Sequence, residues 1–190
     1  MNKIVLSCFL LLCLNCSTNS QQAMKDTAVP EVMLPLNPFE TISYKEPYNP
    51  HSPYHLDLKM ETTETGTKQL NLFITLKDNA YFVSPHAKKD FKGKFSMTIE
   101  DSNKLSMTDD IIEIPRSVEE MDTHPFVDGK VNWVRENTLY KQNLNILTKD
   151  DFEVTGFIRF TIEPRCTYEE IPFKVTQNSG VLQVTLAAGC

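Results

Sequence analysis

The chain has 190 residues, of which 41% are hydrophobic, and this is enough for one globular domain with tails. Its formal net charge is −6, and no cluster of Lys and Arg stands out along it. Because binding to nucleic acid needs basic side chains concentrated on one face to neutralise phosphates, we do not expect a nucleic-acid partner.

Residues 1–16 are predicted to be a targeting segment and not part of the fold. Lys3 precedes an apolar run over residues 4–14, which has the length of a signal-peptide core and is too short to span a bilayer as a helix. The run ends at Leu-Asn-Cys16-Ser, which resembles a relaxed bacterial lipobox. This resemblance implies lipidation of Cys16 after signal removal, with Cys13 as a competing site. An ordinary secreted protein and a retained anchor are the alternatives.

Residues 17–50 are predicted to be a tether. The segment begins with a polar run and carries prolines at positions 30, 35, 38, 47 and 50. Such a composition favours an extended chain that cannot build a core. We therefore expect three regions, which are a lipoprotein signal over 1–16, the tether over 17–50 and one folded domain over 51–190.

From residue 54 onward, apolar and polar residues alternate as they do in strands buried on one face. Strands are predicted over residues 55–60, 69–77, 80–83, 94–100, 111–114, 131–134, 139–147, 152–162, 171–176 and 181–188. Ser117–Met121 is predicted as a single helical turn, and no longer amphipathic helix is found. Many short strands with turn signals about every eight to twelve residues indicate an all-β, immunoglobulin-like β-sandwich.

The clearest alternation covers Phe152–Ile162, and a cysteine follows it closely. Pro164 lacks a backbone N–H, so it either ends this strand or introduces a bulge. Cys166 comes two residues later and is the only cysteine between residues 17 and 189. A cysteine at a strand end beside a short turn suits a redox role, and a buried, inert core thiol is the alternative.

Residues 54–175 resemble the N-terminal periplasmic domain of the thiol:disulfide interchange protein DsbD and the related disulfide-corrector domains. The run from His55 to Pro85 is similar to that family's opening hairpin and its aromatic-rich short strand. The segment Phe-Val-Asp-Gly-Lys beginning at Phe126 resembles the family's cap loop. Residues 155–160, followed by Cys166, resemble the strand that delivers its cysteine.

The resemblance implies an immunoglobulin-like sandwich, a cap role for Phe126 over Cys166 and a thioredoxin-like or DsbD-type protein partner. The chain departs from the family because the family's redox centre has two neighbouring cysteines and this loop has one. A single thiol can attack a disulfide but cannot resolve the product within its own chain. Two functions stay open, a thiol–disulfide relay module acting through Cys166 and a non-catalytic protein-binding module. The domain is not expected to be an enzyme on its own.

The second cysteine of an active pair is predicted to be Cys190. If Thr176 pairs with Val181 in the last hairpin, the same register places Cys190 opposite Thr167. A single bulge would then bring it beside Cys166, within the range of Cα separations that a disulfide needs. The expected Cys166–Cys190 disulfide is either a staple for the last strand or a redox-active pair that exchanges with a thioredoxin-like partner.

No cofactor or metal site is expected. His51 and His55 have the spacing of two ligands on a helix, but Pro53 between them disfavours a helix and no third ligand is near. The signal and the resemblance together imply the bacterial cell envelope, on the periplasmic side. Contact with the membrane is expected through the lipid anchor alone.

Overall fold

The computed structural model of the chain describes residues 43–45, 51–100, 103–123, 127 and 129–186. This part of the chain contains twelve strands and no helix. The strands are β1 (Ser43–Lys45), β2 (Tyr54–Thr62), β3 (Lys68–Leu76), β4 (Phe82–Val83), β5 (Ser96–Ile99), β6 (Leu105–Ile114), β7 (Glu119–Asp122), β8 (Gly129–Val134), β9 (Thr138–Ile146), β10 (Phe152–Ile162), β11 (Thr167–Asn178) and β12 (Val181–Leu186). Nowhere in these ranges is there a helix long and apolar enough to cross a membrane.

The strands pair antiparallel in three sheets. A five-stranded sheet has the order β1-β2-β3-β9-β6, and a four-stranded sheet has the order β12-β11-β10-β5. A small third sheet, β4-β8-β7, adjoins them. Strands distant in sequence, such as β3 and β9, are therefore neighbours, which is the connectivity expected of a sandwich.

The two larger sheets pack face to face around one apolar core. Fully buried side chains come from both inner faces, among them Leu56, Leu58, Leu72 and Ile74 on one sheet and Ile158, Phe160, Phe173 and Val175 on the other. Aromatic rings fill the centre, where Phe95 stacks on Tyr140 with 4.2 Å between ring centroids. The predicted all-β, immunoglobulin-like β-sandwich is confirmed, because alternation at period two buries one face of each strand.

The helical turn predicted over Ser117–Met121 is wrong. Residues Glu119–Asp122 form β7, which pairs with β8 through Glu119↔Asn132 and the three pairs that follow. The local sequence Glu-Glu-Met-Asp favours helix over strand. Hydrogen bonding to β8 overrides that preference, as tertiary context often does.

Strand β1 lies inside the range 17–50 that was predicted to be a tether. Ser43–Lys45 pairs with β2 through Ser43↔Lys59 and the two residue pairs that follow, so this short piece joins the edge of the five-stranded sheet. Three residues carry too little alternation to be recognised from sequence. The rest of the range and the predicted signal over 1–16 lie outside the described residues.

Strand β6 begins six residues before the predicted start at Ile111. Its pairing with β9 shifts between Thr108 and Ile112, and Asp109 there has a φ of 62°. A β-bulge with a left-handed residue breaks the alternation of side chains. The pattern therefore showed only the half of the strand beyond the bulge.

Candidate functional site

Cys166 lies in the turn that joins β10 to β11. The two strands pair without a register shift from Phe152↔Gln177 to Ile162↔Thr167, so the turn consists of residues 163–166. Cys166 itself has a φ of 53°, and its thiol is free and exposed. A long, regular hairpin thus presents the cysteine at its end, and the alternative of a buried, inert core thiol is wrong.

Two hydrogen bonds tie this hairpin end to the beginning of β2. The Arg165 guanidinium donates from Nη1 to the His51 carbonyl at 3.1 Å. The Tyr54 hydroxyl donates to Glu169 Oε2 at 2.8 Å. These bonds connect the residues on both sides of Cys166 to the start of β2 and to the residue His51 that precedes it.

The turn is also contacted by Tyr81, which precedes β4. Its backbone forms a bridge with Glu163, in which Glu163 N donates to Tyr81 O at 2.8 Å. The Tyr81 ring packs edge-on against Trp133, with 4.9 Å between the ring centroids. The Arg135 guanidinium lies 4.3 Å from the centre of the Tyr81 ring. We call Tyr81, Trp133 and Arg135 the aromatic stack.

The aromatic stack is held from its far side by carboxylates. Trp133 Nε1 donates to Asp122 Oδ2 at 2.9 Å, and Arg135 donates to Glu120 Oε1 from both Nε and Nη2. Sequence reasoning missed this group. Trp133 and Arg135 are two residues apart in the sequence, which is the spacing of neighbours on one face of a strand, although β8 itself ends at Val134. Tyr81 joins them only through the pairing of β4 with β8.

The other predicted site residues lie outside the described residues. Phe126, Cys190 and Cys16 are among them, so the cap, the disulfide and the lipid anchor stay predictions. Next to the predicted cap position, Val127 packs against a small apolar cluster of Val83, Ala87 and Val131.

The register assumed for the last hairpin is wrong by two residues. Val181 pairs with Asn178 and not with Thr176, which pairs with Gln183. The turn is tighter than the sequence suggested because Ser179 and Gly180 both adopt positive φ, at 51° and 80°. The register from which the Cys166–Cys190 disulfide was predicted is therefore not the observed one, and Cys190 itself lies outside the described residues.

The described residues contain no group of three or more His, Cys, Asp or Glu side chains placed to hold a metal ion. His55 lies in β2, so His51 and His55 do not share a helix face. This end of the sandwich presents the exposed thiol of Cys166 on a turn that contacts aromatic, guanidinium and carboxylate groups.

Two solved structures similar in fold to this chain contain the DsbD N-terminal domain of Neisseria meningitidis. The crystal structure of that domain in the reduced form is 9% identical and has a TM-score of 0.44, over 73% of this chain and 94% of that chain. The complex between the DsbD and PilB N-terminal domains is 10% identical and has a TM-score of 0.38, over 76% of this chain and 90% of that chain. No family model and no curated protein matches the chain.

Proposed function

We propose that this chain is a protein-binding module of the bacterial cell envelope that engages a thioredoxin-like partner through the thiol of Cys166. The observation that carries the proposal is the exposure of this free thiol at the end of the regular β10–β11 hairpin. Exchange needs a thiolate that a partner's disulfide can reach, and a hairpin end is accessible to a second protein. The lipid anchor at Cys16 belongs to the same proposal and keeps the domain on the periplasmic side.

The chemistry is one thiol–disulfide exchange. The Cys166 thiolate attacks one sulfur of the partner's disulfide, a new S–S bond forms between the two proteins, and the partner's other cysteine leaves as a thiolate. No net oxidation occurs in this step. For the chain to act as a relay, a second thiol must then resolve the mixed disulfide and release the partner. Cys190 is the candidate for this thiol within the chain. Without it, the module forms a mixed disulfide and does not turn over on its own.

The second candidate function is a non-catalytic binding module. It is favoured by the single cysteine between residues 17 and 189 and by the aromatic stack beside the hairpin end. Aromatic and arginine side chains are enriched at protein–protein interfaces and carry much of their binding energy. In this case the partner docks on Tyr81, Trp133 and Arg135, and Cys166 is a bystander.

A trapping experiment separates the two functions. The probe is a thioredoxin whose resolving cysteine is replaced by serine and whose remaining thiol carries a thionitrobenzoate group. We expect the full chain to form a covalent complex with it, seen on a non-reducing gel, and to release one thionitrobenzoate per complex. Cys166→Ser should abolish the complex, whereas Cys190→Ser should retain it.

The same assay tests the cap. Phe126→Ala should speed the formation of the complex, because the aromatic ring is proposed to restrict access to Cys166. A wild-type chain that forms no complex while the protein stays folded would rule out the thiol function. Binding that survives Cys166→Ser without a covalent bond, but is lost in Trp133→Ala, would establish the second candidate instead.

A further inference from the structure

The outer face of the five-stranded sheet carries a cleft of about 300 Å³ that lies away from Cys166. It is formed by side chains of β2, β3 and β9 that point away from the core, including Asp57, Asn71 and Lys141. We call it the outer cleft. The proposed chemistry of Cys166 uses none of the residues that line the outer cleft.

Two acceptor atoms in the outer cleft are buried and have no donor among the residues that the structure describes. Asn71 is 6% exposed; its Nδ2 donates to Glu61 Oε2 at 2.6 Å, while its Oδ1 receives no hydrogen bond. Asp57 Oδ2 lies 3.3 Å from Lys59 Nζ, and its Oδ1 is likewise without a donor. A buried acceptor left unsatisfied is costly and rare in native proteins. Asn71 Oδ1 and Asp57 Oδ1 are therefore acceptors that remain available to a donor on a binding partner.

An apolar row borders the outer cleft. Phe73, Leu139 and Ile114 lie side by side on β3, β9 and β6, because Phe73 pairs with Leu139 and Leu139 with Ile114. Ile112 lies on the same face of β6, two residues from Ile114. The exposed fractions of Phe73, Ile112 and Ile114 are 41%, 47% and 47%. Clustered exposed apolar side chains on a soluble domain mark an interaction surface.

The charges of the outer cleft decide which occupant fits it. Asp57 and Glu61 carry negative charge, and Lys59 and Lys141 carry positive charge. An anion would supply no donor to the two acceptors, and a simple cation would meet two ammonium groups. An occupant that presents both signs together with apolar side chains satisfies all of these groups.

A second copy of the same chain is such an occupant. Lys141 lies directly opposite Asn71 across the β3–β9 pair, and it makes no ion pair with any described residue. We infer that the outer face of this sheet is the interface of a symmetric dimer, in which Lys141 of each copy donates to Asp57 and Asn71 of the other. A twofold interface must be self-complementary, and a charge-balanced face with its own donors and acceptors meets that requirement.

Sedimentation velocity of the full chain in reducing buffer tests the dimer without any contribution from disulfides. The wild-type chain should form a dimer whose fraction rises with concentration. Lys141→Glu and Asp57→Lys should each weaken the dimer at least about tenfold, because each places like charges against one another in the interface. The double variant Asp57→Lys/Lys141→Glu reverses both signs and should restore dimerisation.

Lys149→Glu is the matched control, because Lys149 is an exposed lysine in the loop after β9 and the same charge change there should leave the dimer intact. Circular dichroism of each variant shows whether it is folded. A wild-type chain that stays monomeric at every concentration overturns the inference. A double variant that dimerises no better than either single variant also overturns the inference. Neither result bears on Cys166, so the proposed function is tested separately.

Discussion

Glu113 shows how a single residue can invert the pattern of its strand. It lies at the end of β6 in the run Ile-Ile-Glu-Ile, where alternation would normally place the isoleucines inside. Here Glu113 is 5% exposed, whereas Ile112 and Ile114 face outward. Three donors compensate for its burial, which are Ser84 Oγ at 2.6 Å, Ser117 N at 2.6 Å and Tyr140 Oη at 3.2 Å.

The buried phenol of Tyr140, which donates a hydrogen bond to Glu113, gives stability a pH dependence. Burial, followed by the charge and the hydrogen bond of Glu113, raises the pKa of the Tyr140 phenol well above its ordinary value of 10.0. Above about pH 10 the unfolded chain therefore releases this proton while the folded chain keeps it, so stability falls as pH rises. We expect the fall to approach about 1.4 kcal/mol per pH unit from this residue.

Tyr140→Phe isolates that contribution. In denaturant unfolding at several pH values, the variant should lose about 1 kcal/mol near neutrality from the missing hydrogen bond. It should then show a shallower loss of stability above about pH 10 than the wild-type chain, because other titrating groups are common to both. Parallel stability curves in that range would mean that Tyr140 ionises as freely in the folded chain as in the unfolded one.

At the scale of elements, the hairpin that presents Cys166 depends on one glycine. Gly156 on β10 pairs directly with Phe173 on β11. A Cβ at position 156 would overlap the Phe173 ring, which lies over the glycine and is fully buried. The ring thus fills the space that a glycine leaves in the middle of a strand.

Gly156→Ala should destabilise the domain by about 1–3 kcal/mol, the usual cost of overpacking a core. The measurement is the free energy of unfolding in denaturant. The second variant, Gly156→Ala with Phe173→Leu, removes the clashing ring and should be less destabilised than the sum of its two single substitutions. Full additivity of the two effects would contradict the proposed contact.

Periodicity in the sequence predicted the strands that supply the core. β10 has its predicted bounds, and β2 and β3 differ from theirs by a residue or two, because each has one apolar face. β7 and the bulged half of β6 were missed, because pairing with neighbours forms them and local alternation does not. The register of β11 with β12 was wrong because it depends on two positive-φ residues in the turn, which a sequence pattern does not specify.

Alternation along the sequence also predicted part of the candidate site, but not the contacts that the site makes with distant strands. The position of Cys166 at the end of β10 follows from Pro164 and the alternation before it. The contact of the turn with Tyr81 joins residues that are far apart in sequence. Contacts of this kind depend on which strands become neighbours, and one sequence carries little information about that.

At the scale of the whole molecule, the two proposed surfaces lie on different parts of the sandwich. Cys166 lies at the hairpin end of the four-stranded sheet, and the outer cleft lies on the outer face of the five-stranded sheet. Dimerisation through the outer cleft and exchange at Cys166 therefore use separate residues. A dimer would present two Cys166 thiols, one on each copy, to protein partners.

The lipid anchor is the prediction that sets where this molecule works. Residues 4–14 followed by Cys16 predict that the mature chain begins at an acylated Cys16, and each buried methylene of the acyl chains adds about 0.8 kcal/mol of membrane affinity. Cys16→Ser should move the chain from the membrane pellet to the soluble fraction on cell fractionation. Cys13→Ser, the matched control within the same segment, should stay with the membrane.

Mass spectrometry of the mature N-terminus decides which cysteine is used. Acyl groups on residue 16 are the expected result, because Cys16 follows the end of the apolar run over residues 4–14 and precedes a polar segment. An acylated residue 13 would move the processing site three positions upstream and leave Cys16 as a further thiol near the membrane. An unmodified N-terminus at another position, with Cys16→Ser fractionating as the wild-type chain does, would show that the anchor does not exist. Cys166 would then meet its partners free of the membrane surface.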